Sequence, residues 1–202
     1  MAGLRGKTAL VLGAEFPAGR AVALQLSRSG CRVIISGHDF RKLQLLEQLL
    51  TAKGGNPIVA VLPGEAAKDL SILREARDEC GHLHFVVNAL SVVGESPQAH
   101  HAAGKKAHDA WDVVQQLVTG RGSARFLTLW LDAAGKPPEF PKAWWHSLVR
   151  VTAIQTEADE EHTLGDAKVR CAGAADTICE LLLCPGSACP VEVKLEPRAL
   201  KA

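Results

Sequence analysis

Lys142 and His146 stand four residues apart, a spacing that lets two side chains share one face of a helix. Imidazole is a competent acid and base near neutral pH, so this pair is the first candidate for proton transfer. Trp144 and Trp145 lie between them, and the plainer reading is an amphipathic turn that lays its aromatics on a core. Ser147 follows His146 directly, and sequence neighbours rarely face each other, which leaves this hydroxyl without a base for hydrolysis. Cys171, Cys179, Cys184 and Cys189 are spread through the last quarter of the chain, without the closely paired knuckles that zinc prefers. Cys179 and Cys184 fall in an apolar stretch, where a thiol behaves as a small hydrophobe. His100, His101 and His108 sit in polar sequence that reads as a solvated loop. No metal is expected.

The chain that must position these groups has 202 residues, enough for one domain over 1–202. Lys and Arg number 23 against 22 Asp and Glu, a balance without a basic tail, so nucleic acid is not an expected partner. The first residues lack the apolar core of a signal peptide, and no apolar run approaches the roughly 20 residues that cross a bilayer. Six cysteines without a secretory signal imply reduced thiols and a cytoplasmic location. The chain contains no tyrosine.

Hydrophobic patterning alternates strand with helix through the first half. Thr8 to Leu12 is a short apolar run ending at Gly13, and Ala18 to Arg28 has helical spacing stopped by Ser29-Gly30. Cys31 to Ser36 is β-branched, Asp39 can cap a helix to about Lys53, and Pro57 to Leu62 is a third strand. Ala66 to Cys80 reads as a helix and Leu83 to Ala89 as a fourth strand. The second half is less regular. Ser91 to Gly104 reads as a polar loop and Lys105 to Val118 as a helix with Trp111, Val114 and Leu117 on its apolar face. Ala124 to Leu131 and Leu148 to Ile154 read as strands, Glu157 to Val169 as a loop, Ala172 to Cys184 as a helix and Val191 to Leu195 as a last strand. Pro137, Pro138 and Pro141 disfavour a continuous helix between the fifth and sixth strands. Such alternation specifies an α/β fold: a doubly wound, Rossmann-like, mostly parallel seven-stranded sheet with shortened fifth and sixth helices.

The sequence resembles the short-chain dehydrogenase/reductase family. Gly6 to Ala14 resembles the family's opening strand, Gly19 to Ala23 its first helix, and Val87-Asn88-Ala89-Leu90 its Asn-Asn-Ala-Gly strand end. Trp111-Asp112 resembles the opening of its fifth helix, Val149 to Ile154 its sixth strand, and Ala174 to Ala188 its last helix and following turn. The resemblance implies NAD or NADP bound at a turn of the form Gly-x-x-x-Gly-x-Gly. Here the turn runs Gly13-Ala14-Glu15-Phe16-Pro17-Ala18-Gly19. Pro17 replaces the middle glycine and has no N–H, while Glu15 would set a negative charge beside the pyrophosphate. Gly13 and Gly19 then remain mainly for tight packing of strand on helix. His38 stands where NADP-preferring members tend to have Arg, Asp39 is a helix cap or a ribose ligand, and Glu65 matches an adenine-contacting acid only after a shift. Gly13, Gly19, His38 and Asn88 are thus vestigial cofactor-binding positions, and no bound cofactor is expected.

The resemblance also implies a catalytic Ser, a Tyr-x-x-x-Lys pair and an Asn. The fifth strand ends Leu129-Trp130-Leu131-Asp132 without Ser, Gln115 to Val118 offers no Asn, and tyrosine is absent. Catalytic residues are therefore expected to be lacking. The resemblance implies assembly through two faces, one of the fifth and sixth helices, curtailed here, and one of the last helix and last strand, better kept and represented by Ile178, Leu182, Val191 and Val193. The expectation is a non-catalytic subunit joined there to a catalytically complete short-chain dehydrogenase/reductase, as in two-subunit hydroxyacyl-CoA dehydrogenases. The alternative is an NAD(P)-dependent oxidoreductase with an atypical site at Lys142 or His146.

Overall fold

A computed structural model describes residues 2–62, 71–89, 116–117, 124–131, 146–151, 173–184 and 192–195. Its strands are β1 (Thr8–Leu12), β2 (Arg32–Gly37), β3 (Ile58–Val61), β4 (Phe85–Asn88), β5 (Arg125–Leu131), β6 (His146–Val151) and β7 (Glu192–Leu195). The helices are α1 (Pro17–Arg28), α2 (Phe40–Ala52), α3 (Ser71–Cys80) and α4 (173–183). One seven-stranded sheet has the order β3-β2-β1-β4-β5-β6-β7. All six pairings are parallel, sharper than the mostly parallel sheet expected.

Strand alternation divides the core in two. Ala9 and Val11 of β1, with Val33 and Ile35 of β2 and Leu127 and Leu129 of β5, face the layer formed by α1, α2 and α4. Leu10, Leu12, Ile34, Val86 and Phe126 point the other way, against Leu73 and Ala76 of α3 and against Leu117. Burial on both faces explains why the strands are apolar throughout rather than alternately polar. Two of the helices are fixed at an end. Asp39 caps α2 by accepting the Lys42 N–H at 3.1 Å, and Gly30, at φ 85°, turns the chain out of α1.

The last helix differs from expectation. Ile178 and Leu182, placed at a partner interface from sequence, are 0% and 4% exposed and belong to the chain's own core with Leu4 and Leu26. The reason is the position of α4 across the α1 face of the sheet. Arg125 Nη1 donates to the Leu181 carbonyl at 2.5 Å, and Gln25 Nε2 donates to Asp176 Oδ1 at 2.7 Å. Leu183 alone of that apolar stretch is exposed, and Val193 of β7 packs partly against the same core.

β6 begins at His146, two residues before the expected start at Leu148. His146 and Ser147 are therefore strand residues, in register with Phe126 and Leu127. The helical face proposed for Lys142 and His146 is lost, since a strand repeats every second residue. Lys142 itself, Glu65, Val191, the curtailed helices and the loop histidines lie outside the described residues.

Candidate functional site at the strand ends

In an open parallel sheet, ligands sit beyond the carboxyl ends of the strands, where the strand order reverses. The order here reverses between β1 and β4. Gly13, Gly37, His38 and Asn88, from β1, β2 and β4, converge at that end, and the Ala89 N–H donates to the Leu12 carbonyl at 2.9 Å to join the two central strand ends. The sequence-derived positions Gly13, Gly19, His38 and Asn88 are thus brought to one end of the sheet.

The turn from β1 to α1 is held by β2. Gly13 takes φ 75°, open to glycine at little cost, and the Gly13 and Ala14 N–H groups both donate to the Ser36 carbonyl, at 2.9 and 3.0 Å. Phe16 N–H returns to the Gly13 carbonyl at 3.1 Å and closes the turn. Gly19 lies directly against this turn, so any side chain there would strike the Gly13 carbonyl. Its packing role, expected from sequence, is thereby explained. Pro17 stands at the first helical position, where a missing N–H is one the helix would leave unpaired anyway. The Phe16 ring packs against the α3-side core.

Glu15 does not take the place assigned to it. Its carboxylate lies on Gly37 at the end of β2. There Oε1 accepts the His38 N–H at 3.0 Å, while Oε2 is buried with no hydrogen-bond partner. The charge marks the tip of the second strand.

His38 is also committed elsewhere. Its Nδ1 lies 3.0 Å from the Leu62 carbonyl, which can only accept, so Nδ1 carries the proton and donates. Asp39 is resolved as a cap, and the Lys42 ammonium approaches its Oδ2 at 3.5 Å. The backbone bond from Lys42 holds this carboxyl below its ordinary pKa. Asn88 is fully buried beside Thr128, its register partner on β5.

The residues present fit the adenosine side of a dinucleotide. Gly37 ends β2 without a side chain, and a single orphaned carboxylate oxygen, Glu15 Oε2, lies over it. Gly13 and Gly19 would shape the pyrophosphate turn, and Glu15 would face the ribose. Such a cofactor supplies hydride transfer when bound. No group of three or more metal-ligating side chains occurs among the described residues. Nor is any described helix long and apolar enough to cross a membrane.

The parallel sheet, its order and the glycine-bounded turn at the switch point define an open, doubly wound α/β fold of the Rossmann-like kind. No family model matches the chain. Retinol dehydrogenase 11 of Mus musculus is 33% identical over 108 residues, 52% of this chain and 34% of that protein. Polyprenol dehydrogenase of Mus musculus is 33% identical over 106 residues, 51% of this chain and 31% of that protein. The likeness thus spans about a third of the length of these curated relatives.

Among solved structures, a short chain dehydrogenase from Mycobacterium smegmatis superposes with a TM-score of 0.72 at 16% identity, covering 100% of this chain and 96% of its own. A dehydrogenase/reductase from Sinorhizobium meliloti 1021 gives 0.69 at 16%, covering 95% and 94%. A metagenomic short-chain oxidoreductase in complex with NADP gives 0.68 at 18%, covering 97% and 99%. Identities this low carry the fold. The fold is that of the short-chain dehydrogenases/reductases.

Proposed function

We propose that this chain is a non-catalytic short-chain dehydrogenase/reductase-like subunit that assembles with, and stabilises or regulates, a catalytically competent relative. A hydroxyacyl-CoA dehydrogenase is one form that relative takes. One observation carries the reading: the sheet is complete from β1 to β7, yet no tyrosine occurs in the sequence. Proton transfer at the substrate needs a group of matched pKa within hydrogen-bond reach. With His146 and Ser147 in a strand, neither replaces the missing acid through the helical pairing weighed from sequence.

The partner surface follows from what the core leaves over. β7 ends the sheet and pairs with β6 alone, so its outer edge is open among the described residues. Open edges invite pairing with another strand. Leu183, exposed at 39%, stands at the end of the neighbouring helix. Four described cysteines are unpaired, in keeping with a reducing compartment such as the cytoplasm.

Native mass spectrometry on tagged protein, drawn gently from its own host, tests the reading. The expected result is a complex with a tyrosine-bearing relative. A stable monomer overturns it.

A second reading, an NAD(P)-dependent oxidoreductase with an atypical site, is favoured by the likeness to the two curated dehydrogenases. Turnover of hydroxyacyl or small carbonyl substrates with NADH or NADPH would establish it, and its absence with both nucleotides removes it.

A further inference from the structure

We infer that the His84 ring is a proton-operated clasp on the amino end of β1: neutral, it holds the Thr8 N–H, and protonated, it lets go and frees the turn ahead of that strand while the sheet stays formed. The clasp lies at the opposite end of the sheet from the strand-end crevice and works under either function proposed above.

One peptide unit, between Lys7 and Thr8, opens β1. Its Lys7 carbonyl accepts the Arg32 N–H at 2.8 Å, which ties the unit to β2. The His84 N–H goes to the Thr8 carbonyl at 3.0 Å, so a parallel ladder continued by one rung would pass the Thr8 N–H to the His82 carbonyl. The Thr8 N–H goes instead to His84 Nδ1, at 3.1 Å. A central strand thus has its first rung closed by a side chain that titrates. Nδ1 must be unprotonated to accept, so the ring's hydrogen sits on Nε2 and no lone pair is left for a metal ion.

A second proton gives the ring a donor at each nitrogen, and Nδ1–H then opposes the Thr8 N–H. Among the described residues, Lys7 and His82 are the charged or titratable side chains that act on this ring. Burial first, then Lys7 and His82, disfavour its charged form in the closed state, and the His82 ring stands perpendicular to it with centroids 4.5 Å apart. The His82 backbone works the other way by hydrogen-bonding to the ring, and so gives the charged form a partner to turn to. The charged residues that open the neighbouring strands are engaged elsewhere. Arg32 of β2 pairs with Glu79 of α3 at 2.7 Å, and Arg125 of β5 donates to the Leu181 carbonyl.

The bonds that protonation spares set the extent of the opening. The His84 N–H to the Thr8 carbonyl, and the Arg125 N–H to the His84 carbonyl at 2.9 Å, are backbone bonds that do not need a neutral ring. The turn ahead of Thr8 is held by the Lys7 N–H on the Leu4 carbonyl at 3.1 Å and the Gly6 N–H on the Gly30 carbonyl at 3.0 Å. Leu4 is buried in one core with Ile178 and Leu182 of α4, and Gly3 lies against Leu183. Opening therefore bares a seam along α4 without unpairing the strands. Folded chains make such sub-global openings at lower cost than global unfolding.

The test is amide hydrogen exchange of the full chain at about pH 7.5 and about pH 5.5, on either side of the ordinary imidazole value. Each is run over a series of low urea concentrations and corrected for the intrinsic pH dependence of exchange. The Gly6, Lys7 and Thr8 amides should exchange through an opening with little urea dependence, while Val11 and Val87 in the central strands follow the full slope of unfolding. Protection at Thr8 should fall severalfold from the higher pH to the lower, within the limit of about tenfold per pH unit for one proton. His84→Asn keeps an uncharged acceptor near the place of Nδ1, so its Thr8 protection should not change with pH. Equal protection of Thr8 at both pH values in the wild type overturns the inference, as does exchange of Thr8 with the full urea slope. A pH effect that survives in folded His84→Asn overturns it too. Should that variant not fold, the two wild-type dependences decide alone. None of these outcomes bears on the complex sought by native mass spectrometry, so the two proposals fail separately.

Discussion

Gly19 is pressed against Gly13: a β carbon at residue 19 would stand 2.8 Å from the Gly13 carbonyl carbon and 3.0 Å from the Ala14 α carbon. Both obstacles are backbone, tied in turn to Ser36 by two hydrogen bonds. They can yield only if α1 lifts from the sheet. Gly19→Ala should therefore cost about 1–3 kcal/mol, as overpacking does. Thermal or urea denaturation without any nucleotide would record the loss, because the glycine serves packing first.

Gly37 offers the opposite case. The group that a new β carbon would meet there is the tip of the Glu15 side chain, which can swing away. Gly37→Ala should leave stability within about 1 kcal/mol of wild type, the ordinary range for a change without a named core defect. It should also expel the Glu15 carboxylate and free the His38 N–H. Faster amide exchange at His38, with little change in melting temperature, is the expected signature.

His84 couples stability to pH. Its Nδ1 accepts the buried Thr8 N–H at 3.1 Å, which requires that nitrogen to be unprotonated. Burial first, then the charge of Lys7, lowers its pKa from 6.5. The folded state thus favours the neutral ring. Stability from this site is complete above the unfolded value and declines as pH falls through it toward the lower folded value, because the unfolded chain takes up the proton first. His84→Phe should flatten that acid slope. It should also cost about 1–3 kcal/mol at neutral pH by orphaning the Thr8 N–H. Urea titrations at pH values spanning the imidazole range would read both effects.

Cys31 and Cys179 should be chemically silent in the folded protein. Burial pushes Cys31 to about 11 and is the largest cause raising Cys179 to about 12. The thiolate is the reactive form, so alkylation at neutral pH should modify neither until the chain is unfolded. Mass-mapped labelling with iodoacetamide, native against denatured, checks this. Rapid native labelling of either residue would place it outside the core.

Much of the fold was legible because the strands bury both faces. Thr8–Leu12 and the Asp39 cap emerge as read, since local periodicity and one side-chain bond decide them. Ile178 and Leu182 were misplaced because a helical apolar stripe says that a face is covered, not by what. The start of β6 was missed because His146 and Ser147 are polar and follow two tryptophans, a pattern that reads as a turn. Glu15 was the hardest. Its position in the turn suggested the head of α1, and only the bare Gly37 on the neighbouring strand gives it somewhere else to go. The signal was present as a glycine ending a strand, but sequence alone does not say which side chain fills the gap.

The closure of the α1 face by α4 has a consequence for biosynthesis. Leu4 and Leu26 share their core with Ile178 and Leu182, and the end of Leu183 lies against Gly3. A growing chain can align β1, β2 and β3 early and cover them with α1 and α2, but the part of that face closed by α4 stays bare until residues 173–183 have been made. For most of its synthesis the nascent protein therefore presents an unfinished apolar wall, the kind of surface on which chaperones act and aggregation begins. A premature stop before α4 should yield a chain that is captured or degraded rather than a smaller working version of the fold.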